Sequence, residues 1–204
     1  MRLPAAFILL GLSLLTLTGC PGNAPTRLYV LTATTDKPAS TSPEGVAIGV
    51  GPITLPKYLD RPQIVTRVAA NSLDQANLDQ WGGDLNDNIT RVVATNLSNL
   101  LATDRVSLYP WKDGAPVDFQ VTMDIGRFDQ DKDGNAVLNV FWSIVNKDGT
   151  VLLMRRSSYT QPAGEPASQS DNPRPFDAQA AAMSRDLALF SHDIAAAITG
   201  LKGS

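Results

Sequence analysis

The chain is poor in the residues that carry chemistry, with one cysteine and one histidine in 204 residues. A single thiol rules out a disulfide within the chain and any cluster of cysteine and histidine around a metal. The histidine, His192, stands between Ser191 and Asp193 in a segment patterned as a helix. Adjacent helical residues diverge by about 100° and do not face one another, so these three cannot form a nucleophile triad among themselves. His192 is expected on the surface. The chain also lacks a Gly-x-Ser-x-Gly elbow and a glycine-rich phosphate loop. It is not expected to be an enzyme, and no catalytic residue and no metal ligand is assigned.

Basic runs are missing too. The 17 Lys and Arg residues are scattered among 20 Asp and Glu. That argues against nucleic acid, whose phosphates demand a positive stripe, and against binding anionic headgroups through a polybasic patch. Aromatic residues make up only 6%, and in such a chain tryptophans are more often core anchors than the lining of a lipid groove. Trp142, alternating with Ser143, is expected to be buried. Trp111, following Tyr109-Pro110, is the tryptophan best placed for an exposed contact. The run Asp129-Gln130-Asp131-Lys132-Asp133-Gly134-Asn135 matches the first half of an EF-hand loop. Its closing glutamate position is Val140 and a strand follows, so an Asp-Gly turn between strands is the expected structure.

Long hydrophobic runs are absent except at the start, where Arg2 precedes an apolar stretch from Ala5 to Leu17. A membrane-spanning helix needs about 20 apolar residues, and this stretch ends sooner, at Leu17-Thr18-Gly19-Cys20 followed by Pro21-Gly22-Asn23. The layout is that of a signal peptide, and its end fits a bacterial lipobox. Residues 1–19 are therefore expected to be removed, leaving Cys20 with a diacylglycerol on its sulfur and an N-acyl chain, palmitate being typical. No cofactor beyond this covalent lipid is expected. Each buried CH₂ contributes roughly 0.8 kcal/mol, so several acyl chains anchor durably. Pro21 follows the cysteine where an inner-membrane retention signal would have aspartate, which points to the periplasmic face of the outer membrane. Residues 20–27 form a tether with a reach of at most about 26 Å at roughly 3.3 Å per residue.

Residues 28–204 read as one periplasmic domain, long enough to bury a core without metals or disulfides. Strands are expected over 28–31, 46–50, 63–68, 106–109, 119–125, 136–145 and 150–159, with 71–80 as a polar loop or hairpin. Leu85, Ile89, Val92, Val93, Leu97, Leu100 and Leu101 share one face of a helix capped by Asp84. Met183, Leu187, Phe190, Ile194 and Ile198 share one face of a second helix, with Asp177 as its expected cap. Residues 162–175 form a Pro/Ser/Gly-rich loop whose role the sequence does not reveal. The resulting class is α+β: two layers, a mainly antiparallel sheet with both helices packed on one face.

The segment from Ile48 to Arg67, IGVGPITLPKYLDRPQIVTR, stands apart. Pro52, Pro56 and Pro62 fix φ, and Gly49 and Gly51 permit close backbone approach. This is a rigid loop suited to recognition, which would display Tyr58, Leu59 and Arg61 together. The other reading is that Tyr58 and Leu59 plug the core while Arg61 pairs with Asp60 or a helix terminus. Together with the lipobox, Tyr29-Val30-Leu31, and Trp81 ahead of the Leu85-to-Ile89 helix start, the segment resembles the PqiC (YmbA) family of ABC-type transport auxiliary lipoproteins. These are subunits of transporters associated with membrane integrity. The resemblance is strong from about Leu28 to Leu101 and weaker beyond.

It implies a non-catalytic adaptor in a Pqi-type system that moves lipids between membranes. Such a subunit docks a periplasmic MCE-domain protein at the outer membrane, and a homo-oligomeric ring around the conduit's tip is one arrangement left open. Tyr58, Leu59, Asp60, Arg61, Gln63 and Trp111 are the candidate partner-binding residues. The alternative is a carrier that holds a lipid in its own acyl-chain groove, which would require a sizeable apolar cavity. The lipid, the oligomeric state and the contact surface are not legible from the sequence.

Overall fold

The computed structural model describes residues 25–38, 40–111, 117–165 and 174–203. The signal peptide, Cys20 and the centre of the 162–175 loop lie outside the described residues. Among those described, ten elements follow in order: β1 (Arg27–Tyr29), β2 (Ile48–Thr54), β3 (Gln63–Ala69), β4 (Ser72–Trp81), α1 (Leu85–Leu100), β5 (Val106–Leu108), β6 (Phe119–Gln130), β7 (Asn135–Asn146), β8 (Val151–Pro162) and α2 (Asp177–Lys202). The class is α+β, as expected.

The sheet is mixed. Its longest ladders, β6/β7 and β7/β8, are antiparallel, as is the β3/β4 hairpin. Parallel pairs join β1 to β4, β2 to β5, β2 to β6 and β3 to β6. Strand β6 explains this, for one edge carries β7 along its length while the other is shared between β2 and the tip of β3. Of the loop and the hairpin expected for the polar 71–80 segment, the structure has the hairpin, with the segment as its second strand, β4. One expectation is corrected here: β5 leaves the expected meander to lie beside β2.

A bulge between Ile125 and Arg127 sets which side chains of β6 enter the core. Before it the odd residues Val121, Met123 and Ile125 are buried; after it Phe128 takes the inward position that strict alternation would give Arg127. Trp142, on the facing strand, is buried as expected, its ring 5.8 Å from that of Phe190 on α2. Ile89, Val93 and Leu97 of α1 complete this core. Asp84 caps α1, accepting from the Asp87 amide at 3.1 Å. Asp177 does not cap α2. The cap position is Phe176, and Asp177 pairs instead with Arg174 at 3.0 Å.

The Thr-rich stretch after β1 is a strap over both helices. Leu31 and Thr35 donate backbone N–H groups to Asn88 and Asn96 of α1, and Thr32 donates to Ser184 of α2. Fully buried Asn96 also donates to Ser191 Oγ at 3.3 Å, tying the two helices together.

Candidate functional site: the proline-framed loop

The loop between β2 and β3 is held from beneath. Leu59 is 3% exposed and sits in the core. Tyr58 is half-buried, and its hydroxyl donates to Asp129 Oδ2 at 3.0 Å. Asp129 is fully buried. It also accepts from Arg127 Nε at 2.7 Å and Arg67 Nη2 at 3.3 Å. The Arg67 guanidinium lies over the Tyr58 ring, 5.9 Å from its centroid. Burial first, and then the neighbouring Asp129 carboxylate, push the Tyr58 hydroxyl up to about 12. A buried carboxylate is tolerated only when charge and hydrogen bonds compensate it, and two arginines and a phenol do so here.

Backbone bonds finish the loop. Leu59 N–H donates to Pro56 O, Arg61 N–H to Leu59 O, and Trp81 N–H to Pro62 O. Asn86, in the first turn of α1, donates from Nδ2 to Ile53 O at 2.8 Å. What remains outward is polar: Lys57, paired with Asp60 at 2.9 Å, and Arg61, whose Nη1 donates to Gln75 Oε1 at 2.7 Å. Beside them a recess of about 190 Å³ opens between Leu55, Asp60, Arg61 and the start of α1.

Tyr58, Leu59 and Arg61 are therefore not displayed together. Tyr58 and Leu59 plug the interior, while Arg61 pairs with Gln75 and with neither Asp60 nor a helix terminus. Gln63 is half-buried where β3 begins. Trp111 is a second correction. It is half-buried with its ring against Gly49, where an added Cβ would lie 2.4 Å from the indole. The exposed ring at this place is Tyr109, packed edge-on to Trp111 at 5.5 Å.

Sequence reasoning missed Asp129, Arg67 and Arg127. Asp129 belonged to the EF-hand-like run, which the structure splits: Asp129 lies in β6, and Asp131 holds the turn by accepting from the Asp133 and Asn135 amides. No group of acidic, histidine or cysteine residues able to hold a metal occurs among the described residues. His192 is exposed, Ser191 Oγ donates to Leu187 O, and Asp193 accepts from Tyr159 at 2.6 Å, so the three share no hydrogen bond.

A second buried carboxylate marks the end of the chain nearest the tether. Asp79 takes both Arg27 Nε and Nη2 at 2.6 Å and the Tyr29 hydroxyl at 2.7 Å. Burial opposes its ionisation, but the bonds to Arg27 and Tyr29 prevail and hold it below the usual carboxylate range. Elsewhere, among the described residues, recesses of about 280, 300 and 340 Å³ open to solvent. Among the described residues no helix is long and apolar enough to cross a membrane.

Residues 29–195 match the model of a family described as the ABC-type transport auxiliary lipoprotein component. No curated protein matches the chain. The fold is similar to that of an uncharacterised protein of known crystal structure, with TM-score 0.67, 18% identity, and 86% of this chain and 99% of that one covered. It is also similar to protein XCC0632 from Xanthomonas campestris, of family DUF330, with TM-score 0.67, 17% identity, and 87% and 98% covered.

Proposed function

The chain belongs to the family of ABC-type transport auxiliary lipoprotein components, and on that footing we propose that it is a docking subunit of a Pqi-type lipid transport system. Lipidated Cys20 holds it on the periplasmic face of the outer membrane, and the loop between β2 and β3 meets an MCE-domain protein of that system. The observation that carries this reading is the way the loop is built. Its apolar and aromatic residues are spent on fixing it to the core and to Asp129, while Lys57, Asp60 and Arg61 stay outward. A loop already in one conformation loses little entropy when it binds. No catalytic step is assigned to it.

The test is capture of the MCE-domain protein from detergent-solubilised membranes by the full chain, wild type against Asp60→Lys/Arg61→Glu. Both side chains are exposed, so the variant is expected to melt with the wild type and to lose capture. Equal capture by both would remove the loop from the interface, and no capture by either would favour a lipid carrier or a partner outside the Pqi system.

A further inference from the structure

The β3/β4 hairpin runs past the rest of the sheet at one end. Strand β3 meets β6 only at Thr66 and Gln130, where β6 stops, and β1 covers β4 only at Asp79–Trp81. From Arg67 round to Leu73 the hairpin therefore has no strand on either outer side. Val68 is 46% and Leu73 39% exposed, and residues 69–72 between them are exposed as well.

The tip carries no charge from Val68 to Leu73. The flanking Arg67 is turned inward, its Nη2 donating to Asp129 at 3.3 Å and its Nη1 to Ala70 O at 3.2 Å. A turn carbonyl already bonded in this way costs less to bring out of water. Asp74, the first charge after the tip, is exposed, and its sign suits the ammonium of phosphatidylethanolamine rather than an anionic headgroup. The β6/β7 turn at the same end is charged throughout, with Asp131, Lys132 and Asp133.

Single apolar residues on a surface are ordinary. What singles out this tip is where the chain enters the domain. Strand β1 runs parallel to β4 with Arg27 beside Asp79, so the chain before Arg27 arrives from the side on which the tip lies. Cys20 stands seven residues before Arg27, and Ser72 seven before Asp79. At roughly 3.3 Å per residue each span is at most about 23 Å. A fully extended tether thus sets the lipid of Cys20 level with the tip, and any slack brings the tip into the membrane surface.

We propose that the uncharged tip of this hairpin, residues 68–73, rests in the lipid surface that holds Cys20, with Val68 and Leu73 among the headgroups and upper acyl chains. The inference rests on the reading of Cys20 as lipidated. Apolar area buried at the interface adds to the hold of the acyl chains, and a second point of contact fixes an orientation that a tether alone leaves free. It turns the loop between β2 and β3 away from the membrane, because Gln63, where that loop ends, pairs with Gln80 at the opposite end of the hairpin. Lys57, Asp60 and Arg61 then face the periplasm, from which a partner approaches.

Fluorescence of the full mature chain, purified with its lipid and placed in vesicles of phosphatidylethanolamine with a minority of phosphatidylglycerol, tests this without any transport partner. A nitrobenzoxadiazole maleimide is attached at Val68→Cys, at Leu73→Cys or, in the β7/β8 turn at the other end of the sheet, at Asp148→Cys; all three side chains are exposed. A lipidated Cys20 has no free thiol, so the introduced cysteine is the only one to react and the unsubstituted chain takes up no label. Labels at positions 68 and 73 are expected to emit to the blue of the label at 148 and to be quenched by nitroxide-bearing lipid, which leaves 148 unquenched. Aqueous, unquenched emission from 68 and 73 would overturn the proposal while leaving the anchor in place, and equal quenching at 148 would overturn it by showing no preferred orientation. Labelling of the unsubstituted chain would show a free Cys20 thiol and remove the anchor, and the proposal with it.

Discussion

The Tyr58 hydroxyl reaches 3.0 Å across to Asp129, joining a proline-framed loop to the far end of the long β6/β7 ladder. The two residues are 71 positions apart in sequence. Their bond holds the loop to a strand whose bulge at Gly126 determines which side of the sheet Asp129 occupies.

Removing that bond alone should cost stability but not the fold. Tyr58→Phe keeps the ring and deletes the hydrogen bond to the Asp129 carboxyl group, a loss of about 1–3 kcal/mol. Asp129→Ala is expected to be worse, because it removes the one carboxylate shared by Tyr58 and the half-buried Arg67 and Arg127. Urea unfolding of the two variants against wild type measures both, and equal losses would contradict the network.

Gly49 and Trp111 should prove interdependent. Gly49→Ala would place a methyl 2.4 Å from the indole, and overpacking of this kind costs about 1–3 kcal/mol. Combining it with Trp111→Ala removes the clash, so the two changes should be non-additive, the double variant losing less than the sum. Thermal melts of the four proteins give the coupling, and strict additivity would mean that Trp111 is not held against Gly49.

The part of the fold that was legible is the part repeated locally. The spacing of Leu85, Ile89, Val93 and Leu97 gave α1, and Asp84 announced its cap. The alternation of Val121, Met123 and Ile125 gave the first half of β6. It gave no sign of the bulge that follows, because a bulge interrupts the pattern from which it would be read. That a proline-framed loop joins β2 to β3 was legible from Pro52, Pro56 and Pro62. The direction of its side chains was not, since Tyr58 and Leu59 turn inward for partners far along the chain, and Asp129 lay in a run that reads as a turn.

Stability should fall as pH rises through neutrality, and Asp186 is the cause. Its side chain is fully buried on α2, and neither carboxylate oxygen has a hydrogen-bond partner among the described residues. Burial pushes its pKa up to about 7. The folded chain therefore binds a proton that the unfolded chain has already lost above about pH 4, and stability declines between these values by up to about 1.4 kcal/mol per pH unit. Asp186→Asn should melt higher than wild type at pH 8 and show a flatter pH dependence from 5 to 8. Identical pH profiles would contradict this.

Cys20 lies outside the described residues, and its lipidation is tested directly. Cys20→Ala should move the chain from the membrane to the soluble fraction and abolish labelling by palmitate, leaving the melting profile unchanged. Retention of the variant in membranes would mean that another segment anchors the chain.

Whether the loop between β2 and β3 is the docking surface is addressed most directly by site-specific photo-cross-linking in living cells. A benzophenone amino acid is placed at Lys57, at Asp60 and, as a control on another exposed surface, at His192. A covalent adduct with the MCE-domain protein is expected from positions 57 and 60 and none from 192. Adducts from 192 alone, or none with that protein from any position, would contradict it.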